Sequence, residues 1–369
     1  MASANIRQTK AHSEKGGKPV FGIRLIKRTR GEDGNEKGNF FMPWDCGGAG
    51  ARSYEQFGNG CRQADLAAQM GDAGQFAGYY VAKDKGFYEE ENLDVDIKPG
   101  GPDVAPPQVI AGGGADVVVD WMPSALATRE KGVPLVNIAQ PFKKSGMMLT
   151  CRKDTNITKP EDFRGARTLG VWFGGNEYPF LSWMSHLKIP TEGGKDGVTV
   201  LKQGFNVDPL IQKQADCIST MTYNEYWQVI DAGIPADQLV VFPYEEQGVA
   251  TLEDGLYVLE KSLDDPAMVD KLARFVRASM KGWKYASENP GGEAADIVLD
   301  NDASGAQTKK VQERMVKEIG KLVDGSDGTL DVAAADRTVE TLLGGGSDPV
   351  ITKKPEGAWT AKITDAMKK

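Results

Sequence analysis

The chain has 369 residues, 40% hydrophobic and 26% charged, with a formal net charge of −8 at pH 7. That length fits two lobes of ordinary size, the composition is that of a soluble globular protein, and no apolar run is long enough to predict a transmembrane helix. Residues 1–74 hold 11 Lys+Arg against 8 Asp+Glu and the remainder 33 against 44; so acidic a body argues against nucleic acid or an anionic membrane as partner. Cys46, Cys61, Cys151 and Cys217 show no metal-ligand spacing. Cys151 and Cys217 fall in or beside apolar strands and are expected as buried free thiols. Only two histidines exist, His12 and His186, which nearly excludes a His-based catalytic or metal site; no cofactor or metal is expected.

The opening segment is Gly-rich and aperiodic, with scattered basic residues and no signal-peptide apolar core. Residues 1–65 are expected to be a poorly packed extension. From Gln75 the pattern changes. Tyr79, Tyr80, Val81 and Ala82 begin an amphipathic helix that ends near Gly86, a left-handed C-cap. Leu93, Val95 and Ile97 alternate with Asp94, Asp96 and Lys98, which predicts a strand with one buried face. A loop over Pro99–Asp103 leads to a second helix ending at Gly112.

Ala115–Asp120 is a continuous apolar strand of the kind found in parallel sheets covered on both faces. A helix over Ala125–Lys131 and a strand over Val133–Ala139 follow, and such repeats imply right-handed βαβ units. Gly146–Arg152 is the expected first crossover between lobes. Strands are then predicted at Thr168–Trp172, Val198–Lys202, Ala215–Met221 and Leu239–Phe242, with helices between them, and the chain crosses back near Tyr244–Gly248. Leu256–Leu259 returns to the first sheet. A long helix over Ala267–Ser287 carries Phe275, Met280, Trp283 and Ala286 at helical spacing, a core stripe. Further helices are expected at Pro290–Leu299, Ala306–Val323, Val332–Leu343 and Trp359–Met367.

In open α/β sheets ligands bind beyond the carboxyl ends of strands, and several such loops carry candidates. Trp121 follows a buried strand, where it either stacks on a flat ring or seals the lobe edge; Ser124 offers a hydroxyl. Gly174, Gly175 and Asn176 follow Trp172 and Phe173 and precede a helix, so free backbone N–H groups can approach a ligand closely. No Gly-Lys-Ser/Thr follows, so this is not a P-loop. Tyr223 and Glu225 stand at another strand end, where a carboxylate can accept two N–H bonds and a phenol ring can stack; the alternative is an N-cap with core aromatics. Asn206 either caps the next helix or touches ligand. Gln140 and Asn137 sit near the expected cleft.

The stretch AGYYVAKDKGFYEEENLDV resembles the opening of type II periplasmic solute-binding proteins, in particular those for thiamine pyrimidine precursors, whose relatives include the yeast pyrimidine synthase of thiamine biosynthesis and binders of sulfonates, nitrate or riboflavin. The resemblance runs from about Leu66 to the C-terminus. It implies an α/β fold of two lobes, each a mostly parallel sheet flanked by helices, joined by two crossover strands. Lobe I is expected at 66–147 plus 248–369 and lobe II at 148–247. It further implies a monomeric ABC-importer component, not an enzyme, periplasmic, with permease and ATPase subunits as partners. Its solute would be a small, flat, polar heteroaromatic. The family's first strand usually ends LKW, followed by TQAQFAGYY. Here Met70-Gly71 must be encoded ATG-GGN, and a shift of one base turns this into TGG, a Trp codon. The preceding residues are therefore expected to be an out-of-frame translation, the alternative being a disordered extension. As written, the chain carries no export signal. An enzyme like the yeast synthase would require a cysteine-rich iron motif and an active-site His; the matching Trp172–Gly175 has no cysteine.

Overall fold

The computed structural model describes residues 74–98, 105–173, 177–204, 206–302, 307–344 and 349–368, and the backbone of 22–27 and 65–66. In chain order these form β1 (Gly22–Lys27), β2 (Asp65–Leu66), α1 (Ala77–Asp84), α2 (Phe87–Glu90), β3 (Leu93–Ile97), α3 (Pro106–Ala111), β4 (Val118–Asp120), α4 (Met122–Glu130) and β5 (Leu135–Ala139). The middle of the chain supplies β6 (Met147–Arg152), β7 (Arg167–Val171), α5 (Glu177–His186), β8 (Val198–Lys202), α6 (Asp208–Ile211), β9 (Cys217–Met221), α7 (Glu225–Asp231) and β10 (Leu239–Pro243). After β11 (Gly255–Leu259) the chain is helical: α8 (Pro266–Glu288), α9 (Glu293–Asp300), α10 (Lys309–Val323), α11 (Val332–Leu343) and α12 (Lys362–Ala366).

Of the three sheets among the described residues, one is mixed and two are antiparallel, one of the latter in the order β2-β1-β3. The mixed sheet has the order β10-β6-β9-β7-β8. Within it β7 pairs in parallel with β8 and β9, whereas β6 runs antiparallel to β9 and β10. A second has the order β4-β11-β5, with β11 antiparallel to both neighbours. The expectation of mostly parallel sheets therefore holds for the strands joined by helices and fails for β6 and β11. These two strands each arrive from the other lobe, so they enter their sheets from the opposite end and pair antiparallel.

Local chemistry fixes several boundaries. Gly86 has φ 72° and ends the first helix as expected. The helix predicted from Ala125 begins earlier, at Met122, because Pro123 lies in its first turn, where the missing N–H costs nothing. The expectation of an unpacked extension through residue 65 is modified at Gly22–Lys27, which pairs antiparallel with β3 in the register Arg24↔Asp96 to Lys27↔Leu93. The rest of that extension, apart from Asp65–Leu66, and most of the stretch bearing on the reading frame lie outside the described residues.

Cys151 and Cys217 are buried, as expected, but are joined in a disulfide. The reason is register: β6 and β9 pair so that Cys151 faces Cys217 directly, with Cα atoms 3.9 Å apart. A sequence separation of 66 residues gives no hint of this.

The first lobe is built around α8. Its buried stripe includes Leu272, Phe275, Val276, Ser279, Trp283 and Ala286, with Met280 half-buried. Tyr88 stacks on Phe275 at 5.4 Å and its hydroxyl pairs with Ser279 Oγ at 2.9 Å. Trp283 meets Tyr79 and Phe142 edge-on at 5.5 and 5.7 Å; each such pair adds about 0.5–1.5 kcal/mol beyond area burial. The α1–α8 crossing depends on two glycines. A Cβ on Gly282 would lie 2.0 Å from the Gly78 carbonyl, and one on Gly78 would lie 2.2 Å from Trp283 Cδ2. Gly282→Ala is expected to destabilise the chain by about 3 kcal/mol, since backbone cannot move aside as a side chain can. Urea unfolding checks this, and an unchanged midpoint would show that the two helices have room to separate.

Candidate functional site

Two connections join the lobes, and one carboxylate ties them together. Ser145–Gly146 leads from β5 into β6, and the segment after Gly248 leads into β11. Glu253 on the second connection accepts hydrogen bonds at Oε1 from Ser145 Oγ and from the Gly146 N–H, the latter at 3.0 Å. Glu245 Oε1 accepts the Ser145 N–H at 2.7 Å. The Glu253 carbonyl in turn accepts from Gln140 Nε2, whose Oε1 accepts from Asn137 Nδ2 at 3.1 Å.

Asp254 adds a second anchor. Its backbone lies at φ 42°, a region that L side chains rarely adopt. Its Oδ2 accepts from Gln75 Nε2 at 2.7 Å, and Trp121 is among the side chains that act on its carboxyl. Gly255 follows because there is no room for a side chain: a Cβ would come within 2.5 Å of Asn137 Nδ2 and 2.6 Å of Gln140 Oε1.

Lobe II reaches this point through the end of β9. A Cβ on Gly146 would stand 2.9 Å from Thr222 Oγ1 and 3.1 Å from Tyr223 Cε1, so these side chains close directly onto the first connection. Tyr223 is 1% exposed and its hydroxyl has no hydrogen-bond partner. The carboxyls of Asp254, Glu253 and Glu225 act electrostatically on it, and burial together with these charges pushes its pKa up. Glu225 opens α7 and turns back to accept the Met221 N–H at 3.1 Å and Asn224 Nδ2 at 2.9 Å.

The expected site residues thus fall into two groups. Trp121, Gln140, Tyr223 and Glu225 come together at the lobe junction, buried, with Glu225 and Gln140 already engaged by protein groups. Trp172 donates from Nε1 to the Gly204 carbonyl at 3.2 Å, and Asn206 Oδ1 caps α6 by accepting the Asp208 N–H at 3.1 Å; both hold the ends of lobe II strands. Ser124 is half-buried on α4. Gly174, Gly175 and Asn176 lie outside the described residues. Glu253, Asp254 and Gln75 were not anticipated, although two acids and a glycine before an apolar strand mark a constrained turn. Among the described residues no cluster of His, Cys, Asp or Glu is arranged to hold a metal, and no helix is long and apolar enough to cross a membrane.

Burial pushes Glu253 up to about 8, and Asp254 and Glu225 each to about 7. Each binds its proton more readily folded than unfolded, so its contribution is full at acidic pH and is lost as pH rises from about 4 through about 8. The melting temperature is therefore expected to fall by several degrees between about pH 5.5 and about pH 8.5. In Glu253→Gln, which keeps the acceptor without the titration, the slope should be shallower. Equal slopes in both chains would show that Glu253 does not titrate in this window.

Comparison with known proteins is consistent with this architecture. The family model described as NMT1/THI5 like matches residues 73–293. The formylaminopyrimidine-binding protein of Halalkalibacterium halodurans is 28% identical over 242 residues, covering 60% of this chain and 65% of that protein. The riboflavin-binding protein RibY of Chloroflexus aurantiacus is 26% identical over 235 residues, covering 61% and 62%. Both matches span a little under two thirds of the relative. The solved structure of the periplasmic aliphatic sulphonate binding protein SsuA from Escherichia coli superposes with a TM-score of 0.52 at 12% identity, covering 75% of this chain and 84% of that one, a likeness of fold. With two lobes joined by two reversed crossover strands, and a family match across most of both, the chain belongs to the NMT1/THI5-like family and has the type II periplasmic-binding-protein fold.

Proposed function

We propose that this chain is the solute-binding component of an ABC importer and captures a flat, polar heteroaromatic solute, of the thiamine pyrimidine precursor class, between its lobes. The observation that carries this reading is the junction itself. There Trp121 from one lobe and Tyr223 from the other converge on Asp254 and Glu253, with the Tyr223 hydroxyl buried and unpartnered. Flat aromatic faces suit a ring, and leftover polar atoms suit its edge. Two relatives in sequence are named for ring systems, formylaminopyrimidine and riboflavin, whereas SsuA, named for an aliphatic sulphonate, shares the fold alone. Capture would proceed by hinge closure of lobe I (66–147 plus 248–369) on lobe II (148–247), the bend falling at Ser145–Gly146 and at Glu253–Asp254. The permease would read the closed form outside the cytoplasm, in the periplasm of a two-membrane cell, and relay it to the ATPase. On this reading the chain binds and releases, and performs no chemistry.

A thermal-shift screen with aminopyrimidines, thiamine, riboflavin, taurine and nitrate tests this. An aminopyrimidine at a hundred times its Kd should stabilise the chain by about 2.7 kcal/mol. Tyr223→Phe should weaken that binding about 5–10-fold, the worth of one neutral hydrogen bond. Stabilisation by taurine or nitrate alone would overturn the heteroaromatic reading in favour of anion uptake.

A further inference from the structure

Two helices from different lobes approach each other at the first connection and meet again farther out. A Cβ on Gly146 would lie 3.1 Å from Leu322 Cδ1, near the end of α10, and 2.9 Å from Thr222 Oγ1, in the loop that opens into α7. Away from that point, Arg314 of α10 donates from Nη2 to Asp231 Oδ2 of α7 at 2.6 Å, and Lys310 Nζ reaches Asp231 Oδ1 at 3.4 Å. The Arg314 guanidinium also lies 4.9 Å from the centre of the Trp227 ring, one turn back along α7. Trp227 in turn donates from its indole N–H to the Thr222 carbonyl at 2.9 Å. α10 packs on α8 and α9 of lobe I, whereas α7 packs on β9 of lobe II. Arg314 therefore reaches from one lobe to the other, apart from both connections.

Burial and leverage decide what this contact is worth. An exposed ion pair contributes little, and Lys310, 78% exposed, is of that kind. Arg314 is only 16% exposed, and its two contacts differ in kind: charge on Asp231, a planar stack on Trp227. Arg314 lies about 12 Å along α10 from Leu322, so a turn of about 20° at Gly146 could part it from Asp231 by about 4 Å. The junction is shut in this arrangement, with Tyr223 buried against the first connection. The contacts of Arg314 thus belong to the shut form and are lost in any other.

We propose that Arg314 is a positioning residue for solute capture: by bridging to Asp231 and Trp227 it holds the lobes shut and, through Trp227, holds the Thr222–Tyr223 loop at the junction. This rests on the reading of the chain as a solute-binding protein. Arg314 touches no solute; it acts through the fraction of molecules that are shut, and the apparent dissociation constant rises as that fraction falls.

The test pairs small-angle scattering of the solute-free full chain with calorimetric titration by 4-aminopyrimidine at low and high salt. In Arg314→Ala the radius of gyration should increase and the affinity should fall about 10-fold, the combined worth of a partly buried ion pair and a cation–π contact. Arg314→Lys keeps the charge without the planar stack and should retain part of the affinity. Salt screens an ion pair but barely touches a neutral ring, so added salt should weaken binding by the unaltered chain more than by Arg314→Ala. Asp231→Asn serves if Arg314→Ala does not fold. An unchanged radius, or an equal salt response in the two chains, overturns the proposal while the solute-binding reading stands. If 4-aminopyrimidine fails to bind the unaltered chain, the heteroaromatic reading falls, and the radius alone decides the role of Arg314.

Discussion

A carboxylate that receives hydrogen bonds from another segment can hold that segment in place more tightly than packing alone, and Glu253 does this where it matters most. It sits on one interlobe connection and receives Ser145 and Gly146 of the other. Its neighbour Asp254 receives Gln75 of the first lobe and lies beside Trp121. The two connections are thus fastened to each other, and lobe I is fastened to both. Burying these acids is costly, and the cost is met partly by the bonds they accept and partly by protonation. Everything about how the lobes face each other depends on that balance.

Around this point the fold supplies rigidity. Gly78 and Gly282 bring α1 and α8 into backbone contact, and Trp283, Tyr79 and Phe142 lock above them. In lobe II, Gln203 bonds both the N–H and the carbonyl of Ser219, so the end of β8 and the middle of β9 are held in fixed relation. A cleft between two such bodies changes shape by rotation at its joints more readily than by bending within either lobe.

Most elements were legible because their signals are local. Alternation over Leu93–Ile97, the stripe on α8 and the left-handed Gly86 depend on neighbours in sequence, and the structure reproduces them. Tyr223, Glu225, Trp121 and Gln140 were legible as strand-end residues for the same reason. Glu253 and Asp254 were not, because their importance arises only when a loop more than a hundred residues from Ser145 and Gln75 folds beside them. The disulfide and the reversed strands escaped for a related reason: pairing of Cys151 with Cys217, and the direction of β6 and β11, are matters of register and chain path that no local pattern encodes.

The Cys151–Cys217 bond has a mechanical consequence. It fastens the far end of β6 to the start of β9, and β9 runs without interruption to the loop that carries Tyr223. The near end of β6 is Met147, next to Gly146 and opposite Met221. Two strands hydrogen-bonded along their length and bolted at one end make a stiff beam, with the joint at one tip and the ring of Tyr223 beside it. On the proposed hinge closure, a turn at Gly146 would swing the whole beam and carry the ring of Tyr223 away from Glu253.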